Sequence, residues 1–327
     1  MGKRIVYFDM LRGVAIIFVL FCHSYSGNPL GGGLKEELYL VIRQIVTCAV
    51  PIFLAESGFF LANRELNGAK EYFSFLGTHA FRIWLPMVLW SMPLFFIQEH
   101  NNYILSLLYM LLGGYSIYYF IILIIQFYAL QPVLRSVRTG GGVIIALIIN
   151  LLFVILDNYY ISLQGNRLPL LFECGPFIMW IVYPVIGYYI GNKGRNYRVM
   201  PWLVLMIICL FCSVIESKWL YGFHKEGLGV TKVSSLLFSS CSIIVLFSER
   251  VQRQICSDSF FSRVLVYVGE ISFGIYLIHK YVLDYLVVRI ITDSIIRTVL
   301  TLSLSVAIIA FLKMILPTFL SRCLGLK

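Results

Sequence analysis

The sequence predicts an all-α, polytopic membrane protein with a bundle of about ten transmembrane helices, on the evidence of its composition and its apolar runs. Of the 327 residues, 60% are hydrophobic and 13% are charged, and the mean hydropathy is +0.87. Soluble domains carry about 45–50% apolar and about 25% charged residues. These values argue against a soluble enzyme, a nucleic-acid-binding module and a disordered chain. We expect residues 1–327 to form a single membrane domain.

The apolar runs are long enough to be membrane spans, since a bilayer crossing needs roughly 20 mostly apolar residues. The candidate spans are 5–25, 38–62, 77–98, 115–134, 143–160, 175–191, 199–216, 232–248, 267–290 and 294–316. The 103–113 run is apolar but short, and we expect a re-entrant or interfacial piece there. Glycine clusters at 31–33 and 140–142 indicate loops.

Lysine and arginine residues in the loops predict the orientation, because cytoplasmic loops carry an excess of them. With a cytoplasmic N-terminus, the inner side holds fourteen: Lys3, Arg4, Arg64, Lys70, Arg135, Arg138, Lys193, Arg195, Arg198, Arg250, Arg253, Arg263, Arg322 and Lys327. The outer side holds six: Lys35, Arg167, Lys218, Lys225, Lys232 and Arg289. Both termini are therefore predicted to be cytoplasmic, and the net charge of +10 reflects topology, with no nucleic-acid partner expected.

Ionisable residues within spans are costly and mark functional candidates. The first span carries Asp9, Arg12 and His23. Arg12 and His23 are eleven residues apart, which places them on one helix face about 16 Å apart along the axis. Asp9 lies one turn before Arg12 and can pair with it. These residues can be functional. Equally, His23 can be a packing residue, and Asp9 and Arg12 can be a snorkelling pair at the cytoplasmic interface.

The second and third spans add polar groups at a similar depth. Glu56 lies at about the depth of Arg12, so the two can form an ion pair, either structural or functional. His79 and Arg82 share a face at the cytoplasmic end of the third span. Two such donors suit a phosphate entering from the cytosol, since arginine binds phosphate bidentately. Ordinary positive-inside anchoring is the alternative.

The ninth span holds Glu270 and His279, which are nine residues apart and lie roughly on opposite faces of a continuous helix. They are therefore no obvious catalytic pair, and His279 is more often a packing residue than a catalytic one. The sequence has no cluster of His, Cys, Asp and Glu with metal-ligand spacing, so we expect no metal. It also lacks a P-loop, a GxGxxG motif and a GxSxG nucleophile elbow.

Four stretches, in order along nearly the whole chain, resemble the acyltransferase-3 family of integral membrane acyltransferases. The first has the Arg, ten residues, His spacing of that family at Arg12 and His23. The stretches are 8–24 (FDMLRGVA to CHS), 50–59 (VPIFLAESGF), 119–132 (YFIILIIQFYALQP) and 271–279 (ISFGIYLIH). Each is weak alone, and together they are fairly specific.

The resemblance implies transfer of an acyl group, usually acetyl, from acyl-coenzyme A to a hydroxyl of a bacterial envelope sugar. By resemblance, His23 is the catalytic base and Arg12 binds or orients the donor, while Asp9, Glu56 and His279 give possible support. Arg82 matches the second arginine of the family's Arg-x-x-Arg pair, but the first is His79 here. An acyl-histidine intermediate remains open beside direct transfer.

The leading hypothesis is therefore an acyl-coenzyme A-dependent O-acetyltransferase of the bacterial plasma (inner) membrane. Its acceptor is expected to be an envelope polysaccharide or its lipid-linked sugar precursor, with membrane lipid around it. The alternative is a membrane transporter or flippase of a glycan or lipid intermediate. Against the alternative, the sequence shows no two-half repeat of the kind many transporters carry.

Overall fold

The computed structural model describes residues 5–99, 101–161, 169–222, 229, 231–255 and 259–326. Every regular element in these ranges is a helix, so the all-α prediction is confirmed. Of the loop cations used for orientation, Lys3, Arg4, Arg167, Lys225 and Lys327 lie outside the described residues.

The α-helices follow one another along the chain, with short 3₁₀ and π segments between some of them. The α-helices are α1 Val6–Ser24, α2 Leu34–Ile45, α3 Ala49–Leu61, α4 Ala69–Ile97, α5 Tyr103–Leu111, α6 Tyr119–Ala129, α7 Gln131–Ser136, α8 Gly140–Ile155, α9 Leu170–Cys174, α10 Val182–Lys193, α11 Met200–Gly222, α12 Val233–Leu246, α13 Glu249–Ile255, α14 Phe260–Glu270, α15 Ser272–Tyr281, α16 Ser294–Ile315 and α17 Thr318–Cys323. The 3₁₀ segments are Val46–Cys48 and Phe177–Met179, and the π segments are Leu156–Ile161 and Val282–Val287.

Five helical stretches in the described ranges are long and apolar enough to cross a membrane. They are Val6–Ser24, Leu34–Leu61, Ala69–Ile97, Met200–Gly222 and Ser294–Ile315, and each coincides with a predicted span. The helix α4 begins at Ala69, well before the predicted 77. Its first turns are polar, and the Glu71 carboxylate accepts a hydrogen bond from the Asn67 backbone N–H at 2.8 Å. An apolar window cannot detect a polar helix start of this kind.

Two further helix pairs are apolar enough to span a membrane but are bent, so each is either a broken span or a re-entrant loop. The helices α12 and α13 meet at 71°, at the end of the predicted span 232–248. The span 267–290 was expected to be one continuous helix, and this is wrong: α14 ends at Glu270, and the chain turns by 74° before Ser272. A bend changes no residue's hydropathy, so the apolar pattern alone did not reveal it.

The other three predicted spans contain shorter helices. The spans 115–134, 143–160 and 175–191 hold α6, α8 and α10, of 11, 16 and 12 residues. These helices are shorter than the roughly 20 residues that a crossing needs. The described residues thus hold five membrane-length helices, or up to seven if each bent pair is one span, and ten spans remain a prediction.

Small residues bring the central helices into backbone contact. A Cβ added at Gly13 of α1 would lie 2.1 Å from the Leu265 carbonyl oxygen, and one at Gly269 of α14 would lie 1.8 Å from the Asp9 oxygen. The helices α3 and α10 meet in the same way at Gly58 and Gly187. Close approach through glycine is the usual means of packing helices in a membrane, where apolar burial alone does not drive association.

Two cations that were assigned to loops are buried. Lys232, counted on the outer side, is 1% exposed, and its Nζ donates to Gln44 Oε1 at 2.6 Å. Arg195, counted on the inner side, is 9% exposed and donates to the Phe247 carbonyl at 2.6 Å. Removing one cation from each side leaves the predicted orientation unchanged.

The end of the bundle that holds His23 is closed by contacts between the start of α2 and the start of α16. Asp293 accepts from Lys35 Nζ at 2.8 Å and from Tyr39 Oη at 2.7 Å. These hydrogen bonds hold the pKa of Asp293 below its usual range. The same carboxylate caps α16 by accepting from the Ile295 backbone N–H.

Candidate functional site

Arg12 is held between two carboxylates in the first part of α1. Its Nε donates to Glu56 Oε2 at 2.7 Å, and its Nη1 donates to Asp9 Oδ1 at 3.3 Å. Both ion pairs expected from the sequence are therefore present. The side chain of Glu56 is 2% exposed, whereas that of Arg12 is 36% exposed. The two carboxylates fix one side of the Arg12 guanidinium, while the rest of the side chain remains exposed.

A cavity of about 580 Å³ lies between α4, the bend at Ile271 and the C-terminal helix α17. His79 and Arg82 both line it, as their shared helix face predicts. Arg322 of α17 lines the same cavity, together with Glu270. In the described part of the chain, neither Arg82 nor Arg322 forms an ion pair or hydrogen bond with another residue. Two uncommitted guanidiniums thus lie at one cavity.

Both ring nitrogens of His79 have neighbours within hydrogen-bond distance. Its Nδ1 lies 2.8 Å from the Phe75 carbonyl oxygen, which can only accept, so Nδ1 carries the proton. Its Nε2 then accepts from Arg64 Nη1 at 3.4 Å. The Arg64 guanidinium lies over the Phe75 ring, 4.5 Å from its centroid. Arg64 therefore places a guanidinium charge beside the His79 ring.

A second cavity, of about 550 Å³, adjoins the first and leads past Arg12. Ile83, Tyr128, Glu270 and Phe273 line both cavities. Apart from the Asp9–Arg12 pair, the second cavity has a mainly apolar and aromatic wall, which includes Phe53, Phe120, Ile121, Ile124 and Tyr276. The two adjoining cavities together extend from Arg82 and Arg322 to Arg12 and Tyr276.

Two histidines lie next to Tyr276 but do not line either cavity. The ring of His279 lies 5.8 Å from the Tyr276 ring and 5.4 Å from the His23 ring, measured between centroids. His23 occupies the last turn of α1 and is exposed, whereas His279 is fully buried. Arg12 shares a cavity with Tyr276 of α15 and His23 touches His279 of α15, so both face the same helix, as their spacing predicts.

The hydrogen bonds of His279 leave one of its nitrogens free. Its Nδ1 donates to the Tyr276 carbonyl at 2.7 Å, so its Nε2 is an acceptor in the neutral ring. This Nε2 is buried and has no hydrogen-bond partner among the described residues. An unpaired buried acceptor is costly and therefore rare. The Nε2 of His279 is therefore a candidate hydrogen-bond acceptor for the neighbouring His23 ring.

Sequence reasoning placed less weight on several of these groups than the structure does. On sequence alone, His279 was compared only with Glu270 of the same span, and the two were expected on opposite helix faces. In the structure the ring next to His279 is that of His23, on another helix. Arg322 was counted only as a topology signal. Arg43 lies within electrostatic range of His23, and its buried Nη1 has no hydrogen-bond partner among the described residues. No short sequence motif predicts contacts that form only in the folded bundle.

Among the residues that the structure describes, no group of three or more His, Cys, Asp and Glu could hold a metal ion. The arrangement instead offers cations and neutral imidazoles. Guanidiniums suit an anionic ligand, and a neutral histidine suits proton transfer.

Comparison with known families assigns the chain. The family model described as an acyltransferase domain, that of acyltransferase-3, matches residues 5–321, nearly the whole chain. A search of curated proteins and a search of solved structures found no match. The matched range includes both histidines and every arginine of the two cavities except Arg322, the residue directly after its end. With its apolar helices, the chain is an integral membrane acyltransferase and belongs to the acyltransferase-3 family.

Proposed function

We propose that this protein transfers an acetyl group from acetyl-coenzyme A to a hydroxyl of a bacterial envelope polysaccharide or its lipid-linked precursor. The observation that carries the proposal is the pair of adjoining cavities that extends from Arg82, past Arg12, to Tyr276, whose ring contacts the His279 ring next to His23. A cationic mouth with a histidine pair two ring contacts beyond the cavity is what a nucleotide-linked donor and a hydroxyl acceptor require.

The mouth suits the donor's phosphates. Phosphates are strongly anionic and cannot enter hydrocarbon, so they require cations at the membrane surface. Arg82 lines the cavity with no protein partner among the described residues. His79 contributes a polar wall, and Arg64 behind it contributes charge. Arginine binds phosphate through two parallel N–H groups, which fixes orientation as well as position.

The second cavity suits the donor's pantetheine arm. Arg12 and His23 are eleven residues apart on α1, which is about 16 Å along the helix axis. A long, thin chain can bridge that distance along the mainly apolar wall formed by Phe120, Ile124 and Tyr276. The thioester would then lie near His23 while the phosphates stay at the mouth.

His23 is the proposed general base. Its ring nitrogen takes the proton of the acceptor hydroxyl as that oxygen attacks the thioester carbonyl. The carbon–sulfur bond then breaks, and the leaving thiolate takes a proton from the imidazolium, which restores His23. General base catalysis of this kind contributes typically 10²–10⁴-fold in rate. The exposed side of the His23 ring leaves room for the acceptor.

His279 is proposed to orient His23. The unpaired Nε2 of His279 can accept the N–H of the neighbouring His23 ring, which leaves the other His23 nitrogen as the base. Fixing the tautomer of a catalytic histidine through a second group is an established principle of such sites. His279 is thus proposed as a positioning residue that acts through His23.

The proposed topology has ten spans with both termini cytoplasmic, in the bacterial plasma membrane. This places Arg82 at the cytoplasmic face, where acetyl-coenzyme A is available. It places His23 toward the opposite face. The bent pairs and the shorter helices α6, α8 and α10 supply the crossings beyond the five long helices.

The first test measures transfer of labelled acetyl from acetyl-coenzyme A to envelope glycan in inverted membrane vesicles. Wild type is expected to label the glycan, and His23→Ala at equal membrane abundance is expected to label it at under a tenth of that level. Cys212→Ala, at an exposed cysteine of α11 away from both cavities, serves as the matched control and is expected to be active. Sealed right-side-out vesicles are expected to show no labelling, since the donor cannot reach Arg82.

Two results would contradict the proposal. Transfer by His23→Ala above a tenth of the wild-type level would remove His23 as the base. No labelling by wild type in inverted vesicles, together with no stabilisation by acetyl-coenzyme A in detergent, would remove the donor and favour the transporter alternative.

A further inference from the structure

We propose that Arg322, on the C-terminal helix α17, is the second guanidinium of the donor site and binds the phosphates of the acyl donor together with Arg82. This inference rests on the proposed function. It addresses a gap in the sequence, where His79 stands in place of the first arginine of the Arg-x-x-Arg pair. The Nδ1 of His79 is hydrogen-bonded to the Phe75 carbonyl and its Nε2 lies 3.4 Å from Arg64 Nη1, so this ring does not replace the missing guanidinium.

Arg322 is placed where that charge is missing. It lines the same cavity of about 580 Å³ as His79 and Arg82, although it lies 240 residues further along the chain than Arg82 (322 − 82). Neither guanidinium is committed to another residue in the described ranges. The lining also carries the Glu270 carboxylate, so two guanidiniums against one carboxylate leave the cavity positive by one charge. A cavity whose lining carries more positive than negative charge is suited to an anion.

The backbone that carries Arg322 is fixed by a helix-ending motif. The Leu326 N–H donates to the Ser321 carbonyl at 2.9 Å, and the Gly325 N–H donates to the Arg322 carbonyl at 3.1 Å. Gly325 has a φ of +70°, which completes a Schellman motif. The following Leu326 is 2% exposed and belongs to the core, which anchors the end of the helix.

Contacts with the rest of the bundle fix the helix further. Trp90 Nε1 of α4 donates to the Leu324 carbonyl at 3.1 Å, so α17 is tied to the helix that carries Arg82. A Cβ at Gly325 would lie 2.7 Å from the ring of Phe273, which lines both cavities. The two guanidiniums are therefore presented by parts of the structure that are joined to each other, as pre-organised phosphate binding requires.

The experiment measures binding of coenzyme A to the purified full chain in detergent by titration calorimetry. Arg322→Gln is expected to raise the Kd about tenfold, as expected for loss of one hydrogen-bonded guanidinium–phosphate contact. Arg322→Lys keeps the charge but not the two-pronged geometry, and is expected to fall between wild type and Arg322→Gln. Arg253→Gln is the matched control, because Arg253 is 81% exposed on α13 and outside the cavity, and its Kd is expected to equal that of wild type.

A phosphate-free donor separates phosphate binding from a general effect on the site. With acetylpantetheine as donor, Arg322→Gln is expected to show the wild-type KM, whereas with acetyl-coenzyme A its KM is expected to rise. Equal coenzyme A binding by wild type and Arg322→Gln would overturn the assignment of Arg322 while leaving the proposed function intact. No binding of coenzyme A by wild type would overturn the proposed donor, and the assignment with it.

Discussion

At the scale of single residues, Arg12 has two roles that one substitution would remove together: the ion pair with Glu56 stabilises the fold, and the guanidinium is proposed to bind the donor. Glu56 is almost fully buried and its second oxygen, Oε1, has no described partner. Removing one partner of a buried ion pair typically costs about 3–5 kcal/mol, because the remaining charge is left uncompensated. Loss of activity in Arg12→Ala would therefore mix a folding defect with lost donor binding. His279 allows a cleaner experiment.

The prediction at His279 uses two substitutions, one that can replace the hydrogen bond of Nδ1 and one that can replace that of Nε2. In His279→Asn the amide nitrogen can still donate to the Tyr276 carbonyl, but the acceptor beside His23 is gone. In His279→Gln the amide reaches toward the position of Nε2. We expect His279→Asn to keep the donor KM and to lower kcat by about 10–100-fold, because the tautomer of His23 is no longer fixed. His279→Gln is expected to keep more of the wild-type kcat, because its amide oxygen can accept the His23 N–H in place of Nε2. Steady-state kinetics across a pH range is the measurement, and the profile is expected to change shape. Wild-type kcat in His279→Asn would show that the hydrogen bond to Tyr276 was its whole role.

Residue-scale features were predictable where the partners share a helix or a depth. The Asp9–Arg12 pair follows from an i,i+3 spacing, and Glu56 follows from matching depth in two neighbouring spans. His279 with His23, and Arg322 with Arg82, are separated by most of the chain. A sequence alone contains no local signal for such pairs, since the contact is made by the path of the backbone.

At the scale of helices, the prediction concerns the contact of α1 with α14. Gly269→Ala would place a methyl group 1.8 Å from the Asp9 carbonyl oxygen, which is backbone and cannot move aside cheaply. The helices must separate, and this also disturbs the start of α1 where Arg12 is held. We expect Gly269→Ala to lower membrane abundance and the melting temperature in detergent.

Gly77→Ala is the matched control for that prediction. Gly77 lies inside α4, and a Cβ there has nothing within 4 Å. Alanine is favoured over glycine in a helix by roughly 0.5–1 kcal/mol, so this variant is expected to melt at or slightly above the wild-type temperature. Equal melting temperatures for Gly269→Ala and Gly77→Ala would show that α1 and α14 are not in the contact described.

The helices themselves were predicted with uneven success. Apolar length identified the five long helices to within a few residues at most ends. It did not identify the turn at Ile271 or the π segments Leu156–Ile161 and Val282–Val287, because these change backbone geometry without changing hydropathy. The turn at Ile271 matters most for the site, since Glu270 and Phe273 on either side of it line both cavities.

At the scale of the whole molecule, the number of crossings decides which face of the membrane each cavity meets. The three shorter predicted spans, 115–134, 143–160 and 175–191, lie between α4 and α11. Three is an odd number, so everything after α10 changes sides according to whether these spans cross. The loop cations favour crossing, because Lys193 and Arg198 then join the cytoplasmic side.

Labelling with a membrane-impermeant thiol reagent tests this in a cysteine-free background of the full chain. Gly33→Cys and Asn192→Cys are suitable positions, because both residues are exposed and a Cβ at Gly33 meets nothing within 4 Å. With ten spans, intact spheroplasts are expected to label position 33 but not position 192, and inverted vesicles are expected to show the reverse.

If the three shorter helices do not cross, position 192 lies outside with position 33, and spheroplasts label both. That result would contradict the ten-span topology and place the segments after α10 on the opposite faces. Labelling of position 33 from outside is itself the control that the N-terminus is cytoplasmic, because only α1 precedes it.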